Sequence, residues 1–143
     1  MLTLIQGPAG GGKSQLAAAM LEAGEVQVLA DITRLWVALS GVERGPDGRY
    51  PVRLDSDPAL AVARYLQAVA VRRGLEDGAD VAVTTSRQGQ VDRWRRLAFD
   101  AQSTFALRTV DPGLDVVSAR LADEDGALSE ACQDAIRRWY GEL

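Results

Sequence analysis

Leu2-Thr3-Leu4-Ile5-Gln6-Gly7-Pro8-Ala9-Gly10-Gly11-Gly12-Lys13-Ser14-Gln15 runs from an apolar, strand-forming segment through a glycine-rich turn into an alanine-rich segment. Successive backbone N–H groups can converge on one concavity only where bulky side chains and steric limits on φ are absent, and four of the six positions Gly7 to Gly12 are glycine. The spacing is that of a phosphate-binding loop, with Gly7, Pro8, Ala9, Gly10, Gly11 and Gly12 wrapping the phosphates of a nucleoside triphosphate such as ATP. In that pattern Lys13 reaches the β- and γ-phosphates, Ser14 holds Mg²⁺, and Gln15 lies in the positively polarised first turn of the helix. Apolar positions Leu16, Ala17, Met20 and Leu21 continue the helix until Gly24.

Residue usage points the same way. Of the 16 basic residues, Lys13 is the only lysine. A chain that otherwise uses arginine keeps lysine where a compact ammonium on a flexible stem is needed, here expected to project from a solvent-facing loop. With 143 residues, 47% hydrophobic and 25% charged, the expected organisation is a single globular domain over residues 1–143. No apolar run approaches the ~20 residues of a membrane span, and no basic segment precedes the first apolar run, so no membrane partner and a cytoplasmic location are expected. The lone Cys132 leaves no internal disulfide, and a chain without histidine has no His/Cys metal site. A net charge of −4 disfavours broad non-specific nucleic-acid binding while allowing a local arginine patch.

Strand and helix signals alternate along the rest of the chain. Val26 to Ala30 reads as a second buried strand that delivers Asp31 to its carboxyl end, and Ile32 to Leu39 as a helix capped by Asp31 with Arg34 one turn along. Both polar side chains would then face the crevice above the sheet. Residues 41–57, rich in glycine, proline and arginine, form a covering loop carrying Arg44, Arg49 and Arg53. Asp57-Pro58 starts a helix whose apolar positions Leu60, Ala63, Leu66 and Ala70 carry it to Gly74. Ala79 to Thr85 is a third strand ending in Thr84-Thr85-Ser86-Arg87, Val91 to Phe99 a helix, and Thr104 to Val110 a fourth strand. Leu114 to Leu121 and Ser129 to Tyr140 complete the helices. The alternation predicts an α/β domain with a four-stranded parallel sheet covered on both faces, functional residues collecting beyond the carboxyl ends of its strands.

The loop Gly7 to Ser14, Asp31-Ile32-Thr33-Arg34 after the second strand, the polar end of the third strand and Arg120 before a short acidic loop together resemble the small P-loop kinases related to polynucleotide kinase and the zeta toxins. That resemblance implies a three-layer α/β/α P-loop NTPase fold with strand order 2-3-1-4. It also implies ATP and Mg²⁺ as cofactors and transfer of the γ-phosphate to a hydroxyl. The acceptor would be a nucleic acid 5′ end, a nucleotide or another small hydroxyl compound. Asp31 becomes the general base, Arg34 the residue that holds the acceptor's phosphate, and Arg120 a lid arginine across the ATP phosphates. Thr85 and Arg87 are candidate substrate contacts, and Thr85 or Ser86 could assist Ser14 with the metal.

Each candidate also has a plain structural reading. Asp31 would be only a helix cap, Arg34 a surface cation, and Arg120 a helix C-terminal arginine interacting with the dipole. Arg93-Trp94-Arg95-Arg96 pairs cations with an aromatic as nucleic-acid patches do, but helical spacing turns Trp94 toward Leu97 and Ala98 and the core. Arg137 and Arg138 read as the solvated face of the last helix. The acidic stretch Ala122 to Gly126, and the absence of an apolar strand ending in an aspartate of the Walker-B kind, Asp80 lying at the wrong end of its strand, support a rival class: a nucleotide-binding regulatory or assembly module with slow or no ATP hydrolysis.

Overall fold

A computed structural model describes residues 1–141. Four strands, β1 (Leu2–Gln6), β2 (Val28–Ala30), β3 (Val81–Thr85) and β4 (Phe105–Thr109), form one parallel sheet in the order β2-β3-β1-β4. Helices α1 (Lys13–Glu22), α2 (Ile32–Ser40), α3 (Pro58–Glu76), α4 (Val91–Asp100), α5 (Leu114–Leu121) and α6 (Glu130–Tyr140) complete the α/β architecture. Order, strand direction and layering agree with the sequence reading. Among the described residues no helix is long and apolar enough to cross a membrane.

The two-residue period of the strands divides the core. Leu2, Leu4, Val81 and Val83 pack with Val71, Leu75, Trp94 and Ala98 of α3 and α4. Ile5 and Ala82, pointing the other way, pack with Ala17 and Met20 of α1. A third cluster, Ile32, Trp36, Leu60 and Ala63, joins α2 to α3. At roughly 25 cal/mol per Å² of apolar surface, fully burying each such leucine or valine contributes about 1.5–3 kcal/mol, so these layers hold the strand ends in place for the site.

Three details differ from the sequence reading. β2 pairs only over Val28–Ala30, because Gln27 and Val28 both donate their N–H groups to one carbonyl, Asp80 O, before the ladder begins. α1 begins at Lys13, so both Lys13 and Ser14 lie in its first turn. α3 does not stop at Gly74 but runs to Glu76, with Gly78 supplying the left-handed residue (φ 82°) that ends it. Its buried face is Leu60, Ala63, Gln67, Val71, Gly74 and Leu75 rather than a stripe through Leu66 and Ala70, which are half-buried. Gly74 sits mid-helix because the sheet passes close beneath it: a Cβ there would lie 2.9 Å from Val81 Cγ2 and 3.4 Å from Val28 Cγ2.

Gly74→Ala therefore tests packing against propensity. Alanine gains about 1 kcal/mol in an exposed helix interior, but a collision with two stiff β-branched side chains costs about 1–3 kcal/mol. The expected outcome is a lower melting temperature by calorimetry; a rise would show that α3 can lift off the sheet.

Candidate active site

The glycine-rich turn joins β1 to α1 and is fastened at both ends. Gly7 N–H donates to Thr85 O at 3.2 Å, Gly11 N–H to Pro8 O at 3.0 Å, and Val110 N–H to Gln6 O at 2.8 Å. Gly7 must be glycine, since a Cβ would fall 2.1 Å from Val110 O, and Gly12 adopts φ 102° as the N-cap of α1. The Lys13 ammonium folds over this turn, donating to Gly7 O at 2.9 Å and Pro8 O at 2.7 Å. It is buried, 8% exposed, rather than projecting into solvent as the sequence reading had it. Burial, then repulsion from Arg53, lower its pKa to about 8 against the opposing pull of Asp31.

Asp31 is the second anchor. Its side chain caps α2 by accepting from Arg34 N–H at 3.3 Å. The same carboxylate accepts from the Ser14 hydroxyl at 3.1 Å through either oxygen and from Thr84 Oγ1 at 2.8 Å, and it is 1% exposed. Thr84 Oγ1 in turn accepts from Ile32 N–H. The N-cap role expected of Asp31 occurs, but its carboxylate lies against the loop's serine and is walled in rather than open to the crevice. Arg34 is exposed on α2 and does not line the cavity beyond β3.

Hard oxygen donors suit Mg²⁺, which in such sites takes one or two carboxylates together with substrate phosphates. Ser14 Oγ and the adjoining Asp31 carboxylate match that donor set and lie where the motif puts the metal. Of the two alternative helpers, Thr85 is engaged: its Oγ1 accepts from Arg87 N–H at 3.1 Å.

Arg120, at the end of α5, reaches across to the loop and donates from Nη1 to Gly10 O at 3.0 Å. The backbone carbonyl of Arg120 accepts from Arg49 of the covering loop. In the acidic turn that follows, Asp123 accepts from the N–H groups of Asp125 and Ala127, a structural use of that carboxylate.

Beyond the carboxyl end of β3 lies a cavity lined by Arg53, Arg64, Thr85, Arg87, Arg93 and Trp94 among others. Thr85 and Arg87, the expected substrate contacts, both line it. Arg53 was named only as one of the covering loop's arginines and Arg64 not at all, nor was Gln67, whose buried amide donates to Ala30 O and Thr84 O at 2.8 Å each and ties the ends of β2 and β3 together. The signal for Gln67 was a polar residue on the helix face that runs 60, 63, 67, 71 and 74. Trp94 is in the core, as its spacing implied, with Arg93 over its ring at 5.3 Å. Asp111, beyond β4, accepts from Trp139 Nε1 and the Tyr140 hydroxyl and so anchors α6, and burial and that bond raise Tyr140 to about 12.

Two solved structures share this architecture. One, described as a putative kinase from Chloroflexus aurantiacus j-10-fl, superposes with a TM-score of 0.58 at 17% identity over 76% of this chain. The chain spans 58% of that structure's length. The other, a gluconokinase from Sinorhizobium meliloti 1021, gives a TM-score of 0.53 at 18% identity and covers 99% of this chain and 73% of its own. The chain shares the fold of these two structures. No protein-family model matches the sequence, and no curated protein does.

The Asp31 network makes a stability prediction. Asp31→Ala removes the cap of α2 and strands the buried Thr84 hydroxyl, for an expected loss of about 2–4 kcal/mol in denaturant unfolding. Asp31→Asn keeps an acceptor, and because the Ser14 and Thr84 hydroxyls can rotate to accept instead, the expected loss is within about 1 kcal/mol. Equal losses for the two variants would mean that the charge, not the acceptor, holds the network.

Proposed function

We propose that the chain is an ATP-dependent phosphotransferase that moves the γ-phosphate to the hydroxyl of a small acceptor. The observation that carries this reading is the side-by-side placement of Lys13, Ser14 and Asp31 at the phosphate loop, with the basic cavity beside them beyond β3. Phosphoryl transfer asks a protein for positioning, charge neutralisation and one group that orients or deprotonates the nucleophile. The backbone of Gly7 to Ser14 cradles the phosphates and Lys13 pairs with the γ-phosphate. Arg120 stands across the loop, where charge grows on the transferred group. Mg²⁺, held by Ser14 and Asp31, would supply charge neutralisation for the phosphate oxygens. As the general base, Asp31 would exchange its bonds from the Ser14 and Thr84 hydroxyls for one from the acceptor hydroxyl, since its carboxylate is 1% exposed.

The resemblance to polynucleotide kinase and the zeta toxins would make the acceptor a nucleic acid 5′-hydroxyl. Little supports that choice here, since Trp94 is buried and cannot stack on a base. The likeness to a gluconokinase favours a small hydroxyl acceptor instead. The rival reading, a nucleotide-binding regulatory or assembly module, draws on the turn Asp123–Gly126, which brings no second arginine beside Arg120.

Asp31→Asn separates the roles. As a base it should keep MgATP affinity and lose about 10²-fold or more in transfer to a hydroxyl, measured by radiolabel transfer to sugars, sugar acids, nucleosides and oligonucleotides. As a metal holder it should lose the Mg²⁺ dependence of ATP binding as well. Wild-type transfer by the variant overturns the base role of Asp31, whereas ATP binding by the unaltered chain without transfer to any hydroxyl overturns the kinase reading in favour of the module.

Lys13 makes a second prediction. With its pKa lowered to about 8, the ammonium must be protonated to meet phosphate, and bound phosphate raises the pKa again. ATP affinity should be level below that value and fall by up to about tenfold per pH unit above it, with proton uptake on binding. Calorimetry in buffers of different ionisation enthalpy would detect the proton, and Lys13→Met should abolish the uptake.

A further inference from the structure

The sheet ends in two edges of different kind. β2, at one end of the order β2-β3-β1-β4, is three residues long, none of them exposed. β4, at the other end, is five residues long, and Leu107, Arg108 and Thr109 are exposed. Its backbone groups alternate in direction. Leu2 N–H donates to Thr104 O and Val110 N–H donates to Gln6 O, both at 2.8 Å, so the even-numbered residues of this stretch face β1. The N–H and C=O groups of Phe105, Leu107 and Thr109 therefore point to the open side, where among the described residues no strand pairs with them. The register with β1 runs unbroken from Leu2↔Phe105 to Gln6↔Thr109, so no bulge turns this edge away, and β4 holds no proline.

Apolar surface gathers beside that row. By the two-residue alternation Phe105, Leu107 and Thr109 share one face of the sheet, the face on which Phe105 packs against the cluster that holds Trp94 and Ala98 of α4. Leu107 is 42% exposed there. Arg95 lies over the Phe105 ring at 5.3 Å, and Phe99, one turn further along α4 on the same side, is 80% exposed. Phe99, Phe105 and Leu107 take no part in lining the cavity beyond β3.

We propose that the open edge of β4 pairs with β4 of a second copy of this chain, antiparallel about a two-fold axis at Leu107, joining the two sheets into one. An occupant of this edge must be an extended segment that meets alternate N–H and C=O groups, sets an apolar residue against Leu107 and keeps cations away from Arg108. β4 itself meets all of these conditions in one register. Centred on Leu107, the pairing matches Phe105 with Thr109 of the second copy and Leu107 with its own counterpart, each pair exchanging both N–H···O bonds. Arg108 then stands opposite Ala106. Moving the centre to Arg108 would set that cation against itself, and moving it to Ala106 would leave Thr109 opposite Ser103, outside the strand. Such a contact uses the same patch on both copies and closes on itself, so it gives a dimer rather than a filament. The axis stands normal to the sheet, so α4 of each copy lies on the same face and the two phosphate loops fall at opposite ends of the joined sheet.

The test is sedimentation velocity of the full chain across the micromolar range, where a concentration-dependent equilibrium between monomer and dimer is expected. Leu107→Pro removes an edge N–H and leaves the ladder to β1 whole, because that N–H points away from β1, so the variant should stay monomeric. Leu107→Lys sets two cations face to face and should weaken association about tenfold or more. It serves as the second variant if the proline form loses its native circular dichroism. Mild oxidation reads the register: Leu107→Cys should cross-link, its paired Cα atoms then lying about 5.5 Å apart, whereas Arg108→Cys should not. The unaltered chain, whose Cys132 is buried, is the control. A chain that stays monomeric throughout overturns the proposal, as does a dimer that keeps its full affinity in a folded Leu107→Pro or Leu107→Lys variant. Cross-linking of Arg108→Cys in preference to Leu107→Cys overturns the two-fold at Leu107.

Discussion

The structure depends on one buried carboxylate. Asp31 is 1% exposed, yet it accepts from Ser14 of the phosphate loop, from Thr84 at the end of β3 and from the backbone of Arg34 in α2. An ionised carboxylate out of water is tolerated only when its lone pairs are met, and hydrogen bonds to charged groups are worth about 1.5–3 kcal/mol each. The three donors come from three different elements. Satisfying Asp31 therefore fixes the relative placement of β1's loop, β2's end and β3's end, which is the geometry that a nucleotide and an acceptor would share.

Around that anchor, charge is sorted by chemistry. The single lysine is drawn into the loop, where a compact ammonium can reach two carbonyls only a residue apart. Arginines occupy the positions that span gaps: Arg120 to Gly10 O, Arg53 to Thr33 Oγ1, and Arg64, Arg87 and Arg138 to Asp55. Arg53 is lowered from its ordinary value, chiefly by burial against the pull of Asp31. Its guanidinium also lies 5.9 Å from the Trp36 ring centroid, a stacked setting that lysine would not reproduce.

How much of this could be read from residues alone follows from the range of the interactions. Whereas the strand order came from the family resemblance, the glycine-rich turn and the caps Asp31 and Asp57 were legible because they rest on local spacing. The boundary of α3 was not, because Gly74 is kept by the approach of Val81 and Val28 and not by a turn. Arg53 and Arg64 were invisible as a pair for the same reason: ten residues separate them in the sequence, and only the folded covering loop brings them to one cavity. The arginine singled out by spacing, Arg34, lies instead on the exposed face of α2. Spacing fixes a residue's angle around its helix, but which neighbour covers that angle is a tertiary fact.

The covering loop, residues 41–57, links the two halves of the site through contacts of unequal strength. At its C-terminal end Asp57 is held by the Trp36 indole and by capping α3, and Val42 and Tyr50 pack on the α2–α3 cluster. Its other links, from Arg49 to the Arg120 carbonyl and from Asp55 to three arginines, are exposed or nearly so. Exposed ion pairs contribute about 0–1 kcal/mol each, far less than the buried contacts that anchor the loop's end. The middle of the loop is therefore held by interactions that an anion or a nucleotide could replace at small cost, while its anchor keeps Arg53 beside Asp31 and Lys13 whichever partner the other arginines take.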